Sequence, residues 1–248
     1  MRMLGQLLFG FLLSIVLNSE GAYAQGSFQN LGFESATAVQ IPDDPFRRIN
    51  FTRAFPGWMG FVGDHQEAAA GDNGTFICCS LVSLWGGPSN PSLALSGAFS
   101  VALHGALGDN GQPANTAIAQ TGLVPLTAQS LLFRARGVGP WSVSLAGQTL
   151  PLVALSSSAN YTVFGADISA WAGQASELKF TAIALQQQSS FVVLDAIEFS
   201  AEPIPEPSVV TLIATAALVG LRHLRRRARE ASNKAEQEFS ALANVRNV

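Results

Sequence analysis

Short apolar runs with an alternating pattern recur through residues 25–203 of this 248-residue chain. Residues that favour turns (Gly, Pro, Asn, Asp and Ser) separate the runs. Strands of this length and spacing are typical of an antiparallel β-sandwich or jelly roll. We therefore predict a single all-β domain with strands at residues 76–85, 99–104, 117–121, 130–136, 141–145, 149–155, 161–166, 178–185 and 191–199.

Two local patterns refine this all-β prediction. Residues 141–145 alternate with period two, and residues 146–148 predict a hairpin turn into the next strand. A short helical turn is expected at residues 167–173, where Asp167 or Ser169 would cap its start.

Charged residues are scarce in this chain and unevenly distributed. They make up 12% of the chain, and the formal net charge is −3. Residues 25–204 hold six basic and twelve acidic side chains, whereas the residues from 205 onward carry a net charge of +3. An acidic and sparsely charged domain does not neutralise a phosphate backbone, so we expect no nucleic-acid partner.

The two cysteines, Cys78 and Cys79, are adjacent and exclude a disulfide-dense scaffold. A regular strand turns neighbouring side chains to opposite faces, which favours separate thiols at these positions. A vicinal disulfide is the alternative, and it would require a turn and a strained ring.

The N-terminal 24 residues have the layout of a signal peptide. Arg2 precedes an apolar run at residues 7–17, and Ala22 and Ala24 form a small-x-small ending. Eleven apolar residues at about 1.5 Å each cover only about half of a bilayer core of roughly 30 Å. We therefore expect a signal-peptide helix that is cleaved before Gln25, in preference to a retained anchor.

The C-terminal end carries a second predicted targeting segment. Residues 209–221 are apolar apart from two threonines and a glycine, which is too few polar positions for an ordinary amphipathic helix. A basic cluster follows, so the positive-inside rule predicts a single transmembrane helix with the β domain outside the cytoplasm. The short motif before the helix is Pro205, Glu206, Pro207, and the basic cluster is Arg222, Arg225, Arg226, Arg227, Arg229.

The order of motif, helix and arginines in residues 204–229 resembles the PEP-CTERM sorting signal of Gram-negative bacteria. The resemblance implies recognition by an exosortase, a membrane transpeptidase of bacteria that make extracellular polysaccharide. It also implies a protein held in the inner membrane and facing the periplasm, or released to the cell surface after processing. The tail at residues 230–248, which we expect to be cytoplasmic, departs from the family because its members usually end soon after the arginines.

The β domain itself resembles galactose-binding-like jelly rolls, which include many carbohydrate-binding modules. Loose motifs at residues 30–34, 56–58, 167–182 and 193–199 carry this resemblance. In many such domains a structural calcium ion joins the first and last strands. The resemblance implies that Glu34 and Asp195 would bind it, since calcium takes hard oxygen ligands.

The alternative for both carboxylates is a purely structural role. Glu34 would then be solvated at the end of a strand, and Asp195 would accept a hydrogen bond from a backbone amide.

The sequence of the domain contains no recognisable arrangement of catalytic residues. His65 and His104 are its only histidines, and no serine lies in a Gly-x-Ser-x-Gly elbow. Asp64, Glu67 and Asp72 flank His65 in one polar stretch, but such neighbours are commonly solvated. We therefore predict that the protein is not an enzyme.

Trp85 is the one tryptophan for which we predict a sugar-binding role, because the loop at residues 86–91 would present it to solvent. A buried role is the alternative.

The sequence therefore predicts an exported, non-enzymatic surface or matrix protein that binds polysaccharide. A glycoside-hydrolase-like enzyme and a purely structural envelope protein are the alternatives. An enzyme would be distinguished by a cleft with two opposed carboxylates.

Overall fold

The computed structural model describes residues 27–74, 79–108, 110–186 and 188–204. The chain divides into two compact units, Met1–Ala201 and Glu202–Val248, and every strand belongs to the first. Among the described residues there is one short helix, α1 (Phe51–Ala54), with 3-10 turns at Pro91–Leu93 and Ser169–Trp171. The strands are β1 (Ile49–Asn50), β2 (Met59–Val62), β3 (His65–Gln66), β4 (Ala69–Asp72), β5 (Leu81–Gly86), β6 (Phe99–Leu107), β7 (Pro113–Ala114), β8 (Thr116–Leu123), β9 (Ser130–Val138), β10 (Trp141–Leu145), β11 (Gln148–Thr149), β12 (Val153–Ser157), β13 (Thr162–Asp167), β14 (Ala175–Ala182) and β15 (Ser190–Ser200).

The described strands form two sheets. The first sheet has the order β1-β4-β5-β6-β15-β9-β13-β12, with β7 paired to β6, and the second has the order β11-β10-β14-β8-β2-β3. Neighbouring strands are antiparallel except β4 and β5, which pair in parallel. The predicted all-β sandwich is therefore confirmed, with one parallel pair that alternation alone did not indicate.

Most predicted strands are confirmed, and the departures have local causes. The predicted strand at 149–155 is broken between β11 and β12, where Pro151 has no backbone N–H to donate. The predicted strand at 178–185 lies earlier, at Ala175–Ala182. Strands β1 to β4 and helix α1 were not predicted from the sequence.

The core lies between the two sheets and consists of alternate side chains of their central strands. In β14, Leu178, Phe180 and Ala182 are buried, whereas Glu177 and Lys179 point away from the core. Each large apolar side chain buried in this way contributes about 1.5–3 kcal/mol to folding. Other buried core residues are Val101, Leu103, Ile118, Leu131, Phe133, Ala135, Val143, Leu145, Val192 and Leu194.

An aromatic cluster joins the start of the described chain to this core. Phe33 packs against Trp58 with ring centroids 5.6 Å apart, and it meets Phe55 edge-on at 6.0 Å. The Trp58 indole N–H donates to the carbonyl oxygen of Asn30 at 3.2 Å. The motifs at residues 30–34 and 56–58, which are separated by more than twenty positions, are therefore in direct contact.

The predicted local elements are also present. The chain reverses between β10 and β11 at Ala146 and Gly147, which both have positive φ, as a two-residue hairpin turn requires. The carboxylate of Asp167 accepts the Ser169 backbone N–H at 2.9 Å and so stabilises the start of the short helical turn. This hydrogen bond also lowers the pKa of Asp167.

Several predictions concern residues outside the described part of the chain. The signal peptide at residues 1–24, the motif Pro205 to Pro207, the arginine cluster and the tail at residues 230–248 belong to this group. Within the described ranges, no helix has both the length and the apolar character needed to span a bilayer.

Candidate functional site

The predicted pair of carboxylates meets at one loop of the sandwich, at residues 95–99. The Glu34 carboxylate accepts the backbone N–H of Ala98 at 3.0 Å and that of Phe99 at 3.3 Å. Gly97 has a φ of +57°, and a Cβ there would collide with the Glu34 carboxylate. A side chain at position 97 would therefore strain the backbone and displace the Glu34 carboxylate from the loop.

Asp195 holds the same loop from the last strand. Its Oδ2 accepts the Ser96 backbone N–H at 2.8 Å and the Ser100 hydroxyl at 2.6 Å, and its Oδ1 accepts the Ala196 N–H. Ala196 has a φ of +48° and lies in a bulge where the pairing of β15 with β9 shifts. Beyond the bulge, the Ile197 N–H donates to the carbonyl oxygen of Leu31, which joins β15 to the 30–34 motif.

Burial raises the pKa of Asp195 to about 6, and the like charge of Glu34 adds a smaller increase. The hydrogen bonds from Ser100, Ala196 and Ser96 oppose this rise, because they stabilise the ionised carboxylate. The side chain is only 1% exposed. Glu34, in contrast, is exposed, so the pair places a buried carboxyl group near one that water can reach.

The Glu34 and Asp195 carboxylates are the kind of ligand that calcium takes, but they supply only some of the roughly six to eight oxygen atoms that it needs. Both residues offer hard carboxylate oxygens, and their mutual repulsion would be relieved by a cation. Within the described ranges, no cluster of three or more His, Cys, Asp or Glu side chains is arranged to hold a metal ion. Calcium at this position would therefore take its remaining ligands from backbone carbonyls and water.

Trp85 lies in β5, before the loop that was expected to present it. Its ring is half-buried and packs against Phe191 with centroids 5.1 Å apart, beside Leu95, Ala102 and Val193. The indole Nε1 is buried and has no hydrogen-bond partner among the described residues. Trp85 therefore belongs to an aromatic surface on the outer face of the first sheet.

A larger concave surface lies on the outer face of the second sheet, and we call it the groove. It encloses about 830 Å³. Ser142 and Ser144 of β10 and Thr181 of β14 lie on its floor, because their neighbours in each strand point into the core. The remaining lining residues are Val62, Gly63, Asp64, His65, Glu67, Gly108, Asn110, Pro113, Ala114, Asn115, Ala117, Gly147, Thr149, Glu177 and Lys179.

Charged groups line the groove, and the Phe61 ring, which is not one of its lining residues, lies beside it against Lys179. The Lys179 ammonium lies 5.3 Å from the centroid of the Phe61 ring, within the range of a cation–π interaction. Glu177 lies two positions before Lys179 on the same face of β14. Hydroxyls, carboxylates, an ammonium group and an aromatic ring are thus presented on one surface.

The polar stretch singled out in the sequence is divided by the fold. Asp64, His65 and Glu67 line the groove, whereas Asp72 lies in β4 of the other sheet and accepts a hydrogen bond from Asn73. The contribution of β10 and β14 to the groove was not predicted from the sequence. The signal for it was present, because serines and charged residues alternate with core residues in both strands.

No protein-family model matches this chain, and a search of curated proteins finds none with significant similarity. We therefore infer its function from the residues and their geometry.

The raised pKa of Asp195 predicts an unusual dependence of stability on pH. Between about pH 4 and pH 6 the folded carboxyl keeps its proton while the unfolded one has lost it. The free energy of unfolding should therefore fall as pH rises across this window, by about 2–3 kcal/mol relative to Asp195→Asn.

This dependence is measured by urea unfolding of both proteins in chelator at several pH values. A wild-type curve that parallels the variant across the window would contradict the assignment.

Proposed function

We propose that this chain is an exported, membrane-anchored surface protein whose β domain binds polysaccharide without cleaving it. The observation that supports this most directly is the groove, because its mixture of hydroxyls and charged groups, with the Phe61 ring beside it, suits the hydroxyl-rich surface of a sugar chain. Aromatic rings pack against the apolar faces of sugar rings, and the surrounding polar groups bond to the hydroxyls.

We further propose that the β-sandwich is a galactose-binding-like jelly roll, and its topology is consistent with that fold. Its support is the contact between the 30–34 motif, Trp58 and the bulge in β15, where the first and last parts of the domain meet. In this proposal the Glu34 and Asp195 pair binds a structural calcium ion. The ion would offset the repulsion between the two carboxylates and hold the loop at residues 95–99 between them.

Export and anchoring complete the proposal. The signal peptide at residues 1–24 would direct the chain across the inner membrane, and the C-terminal helix would stop its transfer. An exosortase would then act near Pro205, Glu206 and Pro207. These steps are supported by the sequence pattern of the two ends.

A glycoside hydrolase is the second candidate, because Asp64, Glu67 and Glu177 all line the groove. Strands β14 and β2 are separated by β8 alone, so they lie about 10 Å apart. The carboxylates are farther apart than the strands, because Val62 is aligned through Thr116 with Ala182, several positions along β14 from Glu177. Paired carboxylates that act with an intervening water lie about 6.5–9.5 Å apart, so this geometry favours binding over cleavage. Release of reducing ends from the bound polysaccharide, lost in Glu177→Gln, would favour this candidate over simple binding.

The groove assignment is tested by binding of the full-length protein to a panel of neutral polysaccharides. We expect Phe61→Ala to weaken binding about fivefold, because the variant loses stacking on the sugar ring. Phe46→Ala is the matched control: Phe46 also lies against a cation, the Arg48 guanidinium, but it is 62% exposed and lies outside the groove. Binding lost in Trp85→Ala and kept in Phe61→Ala would move the site to the other sheet.

Calcium binding is tested by thermal unfolding at pH 7 with calcium, with magnesium and with excess EDTA. We expect calcium alone to raise the melting temperature, and Glu34→Gln and Asp195→Asn to abolish that increase. Asp64→Asn removes a carboxylate from the groove and serves as the control. A wild-type melting curve that is the same in calcium and in EDTA would overturn the calcium proposal.

Anchoring is tested by fractionation of the tagged full chain and of a variant with Gln at Arg222, Arg225, Arg226, Arg227 and Arg229. We expect the wild-type protein in the envelope fraction and a large loss from that fraction in the variant, because the basic flank orients the helix. An intact wild-type chain in the soluble cytoplasmic fraction would overturn the export proposal.

A further inference from the structure

Two arginines lie side by side on the outer face of the first sheet, on the opposite side of the sandwich from the groove. Arg134 and Arg136 alternate in β9 with Phe133 and Ala135, which are buried in the core. Positions two residues apart in a strand are about 7 Å apart and point the same way. Both guanidinium groups therefore lie on one outward surface.

Tyr161 completes this surface, which we call the arginine patch (Arg134, Arg136 and Tyr161). The Arg134 guanidinium lies 4.7 Å from the centroid of the Tyr161 ring. Arg136 and Tyr161 line a shared cavity of about 280 Å³, together with Trp141 and Asn160. The patch thus offers cationic groups, aromatic rings and an amide around a concave surface.

Neither arginine of the patch has an anionic partner within the described ranges. The ion pair found there joins Arg48 to Asp44, and the Arg134 contact is to the Tyr161 ring. Asp195 is opposite Arg134 in the pairing of β15 with β9, but its carboxylate bonds the loop at residues 95–99. Glu198 is opposite Leu132, farther along β9, and is exposed.

Both arginines are partly exposed and neither forms a salt bridge with a described residue, so a negatively charged ligand can bind them without displacing an ion pair. A guanidinium group binds a carboxylate through two parallel hydrogen bonds, so it is suited to carboxylates at fixed spacing. The remainder of the domain is acidic, which disfavours a DNA duplex with one charge per about 1.7 Å more strongly than a polymer with one carboxylate per sugar unit. A sugar chain that carries carboxylates at intervals matches both the charge and the aromatic rings.

The surface next to the patch extends along one row of the sheet. Arg136 is opposite Val193 of β15, and Val193 is opposite Ala102 of β6. The rings of Trp85 and Phe191 lie beside these two small residues. An elongated ligand bound at the patch would therefore continue across an apolar, partly aromatic surface.

We propose that the arginine patch binds an acidic polysaccharide, one whose sugar units carry carboxylates. The site is separate from the groove and takes a different ligand class. A polysaccharide bound at the patch would also contact the aromatic surface around Trp85.

The probe is polygalacturonate, a polymer of a uronic acid, with neutral dextran as the uncharged comparison. Binding of the full-length protein is measured at low and at physiological salt. We expect Arg134→Gln with Arg136→Gln to weaken polygalacturonate binding at least tenfold, because two charge-assisted contacts are lost. Arg53→Gln removes an exposed arginine of helix α1 and should leave binding unchanged.

A second variant separates bidentate recognition from net charge. Arg134→Lys with Arg136→Lys keeps both charges, and we expect it to lose most of the affinity because an ammonium group cannot bind a carboxylate in the same two-pronged way. Unchanged binding in this variant, or equal binding of double-stranded DNA by the wild type, would overturn the proposal. Thermal unfolding of each variant separates lost recognition from lost folding.

The groove variant distinguishes this proposal from the proposed function. Phe61→Ala should leave polygalacturonate binding intact, whereas the arginine variants should leave neutral-polysaccharide binding intact. Loss of polygalacturonate binding in Phe61→Ala alone would assign the acidic ligand to the groove and overturn the patch.

Discussion

Alternate apolar side chains of the central strands pack between the two sheets, and this burial determines the chemistry of both outer faces. In β14, burial of Leu178 and Phe180 turns Glu177 and Lys179 to the groove. In β9 the same alternation buries residues beside the arginines and turns the guanidinium groups outward. Because the side-chain period of a strand is two, a shift of one residue in register would exchange the core and the surface. The composition of the groove and of the arginine patch therefore depends on the register that the core selects.

The ends of the domain are held by a second constraint, which is electrostatic. Glu34 and Asp195 come from opposite ends of the β domain and accept hydrogen bonds from the amides of one loop, Asp195 as a buried side chain and Glu34 as an exposed one. Burial favours the protonated form of Asp195, while the amide and hydroxyl donors favour its ionised form. This balance makes the site responsive to pH and, in our proposal, to calcium.

Two surfaces of different chemistry lie on opposite sides of the sandwich. The groove presents both signs of charge with hydroxyls, which suits a neutral sugar chain, whereas the arginine patch presents two unneutralised cations beside aromatic rings. A protein anchored at the cell surface and carrying both would hold two kinds of polysaccharide at once, because opposite faces do not compete for space. In that arrangement the domain would act as a cross-link in an extracellular matrix.

The sequence by itself determined the all-β class, most of the central strands and the hairpin at Ala146 and Gly147, because period-two alternation and turn chemistry are local properties. It also predicted that Glu34 and Asp195 act together, although their loop partners became visible only in the fold. Tertiary structure alone decided the strand order, the parallel pair β4–β5, the placement of Trp85 beside Phe191, and the union of Asp64 with Glu177 in one groove. These features bring together residues far apart in the chain, and such contacts depend on how the sheets pack rather than on any local pattern.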